Sequence, residues 1–155
     1  MPNSRFYNNV FYNVGNAQGY ALSLYTQPRY SSQGVAIVNN AFVANNGDVE
    51  FHSASVDSLL AYSNSFYATA NGGTKSGQLG TNAINGGSAK FANVGQLNFR
   101  PLTGTAIIGR GANLSSSFTT NKDGALRSTP WDIWPFTRRT TIDKPAAPTN
   151  LRVLP

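Results

Sequence analysis

IVNNAFVANN, residues 37–46, sets two adjacent asparagines, Asn39 and Asn40, inside an otherwise apolar, strand-like run. Asparagine is a poor strand former, so the pair marks a ligand contact, a turn, or a structural ladder. The pattern returns along the chain. RFYNNVFYNV has Asn9 followed two places on by Phe11, AIVNNAFVAN has Asn40 followed by Phe42, and LAYSNSFYAT has Asn64 followed by Phe66. Phe11 and Phe42 are 31 residues apart, and Phe42 and Phe66 are 24 apart. Three residues before Asn9, Asn40 and Asn64 stand Phe6, Ile37 and Ala61, and two further back stand Ser4, Val35 and Leu59.

A strand alternates its faces with period two, so these two preceding positions share a face. A polar corner follows, and the phenylalanine two places on turns inward again. Strand, tight corner and strand, repeated every 24 residues or so, predicts a chain that coils and stacks on itself. Equivalent residues of successive coils then lie about 4.8 Å apart, close enough for corner amides to bond from coil to coil. The reading is that Asn9, Asn40 and Asn64 form a structural ladder beside a stack of Phe11, Phe42 and Phe66. The longer first repeat implies a loop in YTQPRYSSQG, residues 25–34, where Pro28 breaks the strand pattern. Further strands are expected at YALSLY (20–25), DVEFHS (48–53) and SLLAYS (58–63), with a shortened fourth turn at LGTNAING (79–86), where Asn82 follows Asn64 by 18 residues. ATANGGTKSGQ, residues 68–78, reads as an exposed loop.

Composition agrees with many short strands and tight turns. Of 155 residues 40% are hydrophobic and only 12% charged, while Asn occurs 18 times and Gly 15 times. Polarity therefore comes from amides, hydroxyls and backbone. There is no cysteine, so disulfides and thiolate metal sites are excluded. No apolar run approaches the roughly 18 residues of a membrane span, and no membrane insertion is expected. MPNSRFYNNV lacks a signal-peptide core and already reads as a strand. The net charge of +6 is uneven: residues 1–99 carry four basic and three acidic side chains, residues 100–155 eight and three. A solvated basic end segment is the simplest account of that.

These repeats resemble the right-handed parallel β-helix family, the single-stranded solenoid of pectate lyases and many bacterial surface proteins. The asparagine–aromatic corners are similar to that family's asparagine ladder and inward aromatic stack. FANVGQLNFRPLTGTAIIGRGANL (91–114), KDGALR (122–127) and WDIWPF (131–136) look like the closing segment of extracellular members, with Asn98, Thr105 and Trp134 departing from the usual acid, serine and glycine. KPAAPTNLRVLP, at the C-terminus, is similar to the linker and opening strand of a fibronectin type III domain. The resemblance implies an all-β right-handed parallel β-helix of three to four coils over residues 1–90. It implies a closing coil and C-terminal cap over 91–136, and a basic Pro-containing linker over 137–155. It also implies an exported protein, extracellular or at the cell surface. An open first coil with Phe6 at its edge is expected to favour self-association end to end.

Chemistry is sparse. His52 is the only histidine. In DVEFHS, Val49 and Phe51 face one side while Asp48, Glu50 and His52 face the other, a set able to bind a cation or act as an acid–base pair. An exposed polar strand face gives the same alternation. Tyr25 and Tyr30, with the other tyrosines, offer stacking surfaces for sugar rings. Asp48, Glu50, His52, Tyr25 and Tyr30 are the candidate ligand residues. No G-x-S-x-G nucleophile motif is present, GRGANL (109–114) lacks the third glycine of a dinucleotide loop, and the NGG stretches at 71 and 85 lack the Asp of calcium-binding repeats. Arg100, Arg110 and Arg127 are read as structural partners of backbone carbonyls or Asp132. No catalytic residue, metal or cofactor is expected. Residues 1–70 hold only Arg5 and Arg29 as basic side chains, too few for nucleic-acid binding. The functional expectation is a non-catalytic, structural, self-assembling or polysaccharide-binding module. The alternative is part of a polysaccharide lyase whose catalytic coils lie upstream.

Overall fold

The computed structural model describes residues 3–14, 19–25, 33–52 and 59–136, with the main chain alone for Tyr25 and His52. The expected loop at 25–34 lies largely outside the described residues, as do Tyr30 and the whole segment 137–155. Within them the protein is all-β: eleven short strands and a single 3-10 turn, Val94–Gln96.

The strands recur in order. β1 (Arg5–Tyr7), β2 (Val10–Tyr12) and β3 (Tyr20–Tyr25) are followed by β4 (Ala36–Val38), β5 (Ala41–Val43) and β6 (Gly47–His52), then by β7 (Ala61–Ser63) and β8 (Phe66–Ala68). Each pass lies parallel on the one before. β4 joins β1 to β7, β5 joins β2 to β8, and β6 pairs β3. A shortened fourth pass follows, with Thr81 bridging Ser63 and β9 (Ile84–Asn85) pairing β8 through Phe66 and Ile84. β10 (Phe91–Asn93) and β11 (Asn98–Pro101) form an antiparallel pair beyond them.

The corners explain the asparagines. Asn8, Asn39, Asn64 and Asn82 all have left-handed backbone, with φ of 54, 58, 51 and 51°. Asparagine tolerates that conformation better than other residues with a Cβ. The main-chain N–H of each of the first three donates to the following pass, at Val38, Ser63 and Thr81. The second residue of the corner turns inward. Asn40 Oδ1 accepts from Asn9 N and Asn9 Nδ2, both at 3.0 Å, and Asn40 Nδ2 donates to Phe6 O at 2.7 Å. Asn9 and Asn40 are thus rungs of one ladder.

The third pass departs from the expected frame by one residue. Phe11 pairs with Phe42, but Phe42 pairs with Tyr67, and Phe66 sits over Ala41. Asn64 therefore continues the column of Asn39, and the residue at Asn40's level is Ser65, whose Oγ accepts from Asn40 N at 3.3 Å. The aromatic stack is Phe11, Phe42 and Tyr67, with centroids 4.7 and 5.1 Å apart and interplanar angles of 3° and 4°. Tyr67 is suited to the interior because its hydroxyl donates to Tyr62 Oη at 2.9 Å, which relieves the cost of burying a phenol.

Alternation along β5 and β8 feeds two cores. Phe42 and Tyr67 pack with Leu22, Leu24, Val35, Ile37 and Tyr62 between the strand stacks. Ala41, Val43, Phe66 and Ala68 face the other way, onto Ile107, Ile133 and Trp134 of the C-terminal segment. Strands covered on both faces read as continuous apolar runs, which is how AFV and FYA read. The C-terminal segment, expected to close an end, makes its contacts along the side. Asn8 Nδ2 donates to Asp132 O and Trp134 O, Asn39 exchanges two bonds with Ala112, and Asn64 Nδ2 donates to Arg110 O. One outward asparagine from each of three passes therefore holds it.

Candidate functional site

β3 and β6 form a two-stranded sheet, and β6 has no third strand beyond it among the described residues. After β8 the chain instead turns away, pinned by Gly73 N to Thr69 Oγ1 at 2.8 Å and Gly87 N to Gly72 O at 2.8 Å. It then returns along residues 74–79 as a strap beside β6. An open groove of about 850 Å³ lies between strap and strand, lined by Tyr20, Asn46, Asp48, Glu50, Lys75 and Gln78 among others.

Tyr20 stands on the groove wall, 44% exposed. Its ring lies against Gly47, where any Cβ would strike the ring carbons. The glycine therefore sets where the ring sits. Glu50 is half-buried and accepts from Ser23 Oγ at 3.2 Å. Asp48 is buried, 7% exposed. Its Oδ1 accepts from Asn45 Nδ2 at 3.2 Å, and its Oδ2 lies 3.6 Å from Lys75 Nζ with no hydrogen bond. Burial pushes the Asp48 carboxyl above the ordinary aspartate range, and the Asn45 bond and the Lys75 charge only partly oppose that. Removal from water outweighs the ion pair.

Of the expected ligand residues, Asp48 and Glu50 come together on the groove. His52 lies opposite Tyr25 in the β3–β6 register, and both side chains lie outside the described residues, as does Tyr30 entirely. Sequence reading counted Tyr20 among the stacking tyrosines without singling it out, and missed Lys75 and Gln78, which sit in what reads as an exposed loop. The other signal was there: Lys75 is the single cation in a stretch of glycines, hydroxyls and amides. Lys75 Nζ donates to Asn45 O at 2.6 Å, and the Lys75 main chain exchanges bonds with the Asn85 side chain at 2.7 and 2.9 Å. Tyr62 Oη donates to Gln78 O at 2.5 Å. The strap is therefore tied to the body at several points.

Two arginines of the C-terminal segment, Arg100 and Arg127, make structural pairings. Arg127 donates to Trp134 O at 2.6 Å and Thr120 O at 3.3 Å, as the carbonyl-pairing expectation has it. Arg100 pairs bidentately with Asp123, at 2.7 and 2.9 Å, rather than with Asp132. Asp132 instead accepts from Gly109 N at 2.7 Å. Among the described residues no helix is long and apolar enough to cross a membrane. No protein-family model, curated protein or solved structure matches the chain.

Proposed function

We propose that this chain is a non-catalytic right-handed parallel β-helix module, acting outside the cell or at its surface, that binds a polysaccharide in the groove between β6 and the strap. The β-helix reading is supported by parallel stacking of successive passes in one order, with aligned corner asparagines and a coaxial aromatic stack. Parallel connections of this kind are almost always right-handed. The observation that carries the functional reading is the groove itself: an exposed tyrosine on a wall that also presents amides, hydroxyls, two carboxylates and the Lys75 ammonium. An aromatic face stacks on the C–H face of a sugar ring, and amides and hydroxyls complete the bonds to its hydroxyl groups. Titration against a glycan array tests it. The expected result is binding without turnover, weakened at least fivefold by Tyr20→Ala. No binding to any glycan, or binding indifferent to Tyr20, would contradict it.

Self-association is a second reading, favoured by β1, β2 and β3 each forming the edge of its sheet. Phe6 and Phe11 on that edge are half-buried, whereas Ile37 and Phe42 beneath them are fully buried. A second copy paired along this edge would cover them. Light scattering across a dilution series tests it: a falling mass on dilution is expected, and a constant monomer mass would contradict it.

A further inference from the structure

Lys75, Asn45 and Asp48 form a cluster at the floor of the groove, where Asp48 and Lys75 also line it. They pack where the strap meets the corner before β6, the Lys75 and Asp48 side chains 13% and 6% exposed and Asn45 5%. The Lys75 ammonium lies 3.6 Å from Asp48 Oδ2 and 2.6 Å from the main-chain oxygen of Asn45. The side-chain amide of the same Asn45 donates from Nδ2 to Asp48 Oδ1 at 3.2 Å and to Phe11 O at 3.0 Å. Its Oδ1 accepts from Val14 N at 2.8 Å. One carboxylate thus touches both the amine and the amide nitrogen, while a backbone N–H polarises the amide carbonyl.

We propose that Lys75 and Asn45 become joined after folding by an amide bond between Lys75 Nζ and Asn45 Cγ, with Asp48 carrying the protons. The step requires rotation about the end of the lysine side chain, carrying Nζ from the main-chain oxygen of Asn45 toward the amide carbon of the same residue. Asp48 Oδ2 takes a proton from the ammonium, and the freed lone pair attacks Cγ. The carbonyl pair moves onto Oδ1, where the Val14 N–H stabilises the developing oxyanion. The C–Nδ2 bond then breaks. The two protons shed by Nζ pass through Asp48 to the departing nitrogen, which leaves as ammonium, and the carboxylate is restored. Charge and atoms balance: one lysine cation is exchanged for one ammonium ion, and no oxidant or outside reagent enters. Burial helps twice. It raises the Asp48 carboxyl above the ordinary range, making it a better proton acceptor, and it fixes the reactants in one place.

The bond would tie the strap to the corner preceding β6, closing the chain from residue 45 to residue 75. In a protein without cysteine it does the work of a disulfide, removing freedom from the unfolded chain. The inference stands apart from the glycan reading, since neither requires the other.

Intact-mass spectrometry of the folded full chain tests it. The expected mass falls short of the sequence mass by one ammonia, and digestion yields a branched peptide linking residues 45 and 75. Lys75→Arg, which keeps the charge, and Asp48→Ala both restore the full mass. A wild-type chain at full sequence mass would overturn the proposal. So would an ammonia loss that persists in Lys75→Arg, or that maps to cyclisation at Asn46–Gly47, Asn71–Gly72 or Asn85–Gly86.

Discussion

Asn39 grips Ala112 with both ends of its side-chain amide: Nδ2 donates to Ala112 O and Oδ1 accepts from Ala112 N, each at 2.8 Å. The two residues are 73 apart in sequence. The bond pair reproduces one rung of a β-ladder with a side chain in place of a strand. It is the central link between the strand stacks and the C-terminal segment. Asn39 is fully buried, so the loss of this grip leaves backbone groups of Ala112 without partners.

Asn39→Ala should therefore destabilise the fold by about 2 to 4 kcal/mol, from the unpaired groups and from a Cβ without amide compensation in left-handed backbone. Asn39→Gly removes the second cost and should be the milder change. Urea unfolding measures both. Equal midpoints for the two variants and the parent would refute the clamp.

Asn40→Leu should cost about 1 to 3 kcal/mol, because Asn9 and Phe6 O lose their partner in a buried corner. Asn9→Leu should cost less, since Asn9 is exposed and keeps water on one side. The ordering of the two unfolding midpoints checks this. Asn9→Leu as the worse variant would mean that the ladder is not anchored at Asn40.

How much of this was legible follows from where the chemistry is local. YALSLY became β3, and the repeat behind the asparagines gave parallel passes. The corner motif was read as Asn-x-Phe, anchored on the second asparagine. The chain uses Asn-x-x-aromatic, anchored on the first: Asn8 to Phe11, Asn39 to Phe42 and Asn64 to Tyr67. The left-handed corner fixes the first residue, and an aromatic must stack inside three places on. The sequence NSFY satisfies both frames on paper, and only the hydroxyl partner at Tyr62 and the cover at Trp134 choose between Phe66 and Tyr67. The side-on packing of 91–136 was hidden for a different reason. Ile107, Ile133 and Trp134 come from irregular chain, where no period announces a buried face. Lys75 was hidden because its partners, Asn45 and Asp48, are close only after β6 and the strap meet.

Alkaline stability should betray the Tyr62–Tyr67 pair. Burial is the main cause that raises both phenols, Tyr62 to about 12 and Tyr67 higher still. For groups whose folded pKa is raised, the unfolded chain loses protons first, so stability falls as pH rises beyond the ordinary phenol range near about 10. Denaturant midpoints should be flat from pH 7 to 9 and drop between about pH 10 and 12. Tyr67→Phe should reduce that drop. A midpoint unchanged up to pH 12 would place both hydroxyls in water.

The register of the third pass is the centre of the account, and a double-mutant cycle reads it directly. Phe42→Leu is combined first with Tyr67→Leu and then with Phe66→Leu, and unfolding free energies are measured for each set. Stacked rings couple by about 0.5 to 1.5 kcal/mol, so that coupling is expected for Phe42 with Tyr67, while Phe42 with Phe66 should be additive within about 0.5 kcal/mol. Coupling between Phe42 and Phe66, with additivity between Phe42 and Tyr67, would contradict the frame on which the ladder, the two cores and the asparagine clamps all depend.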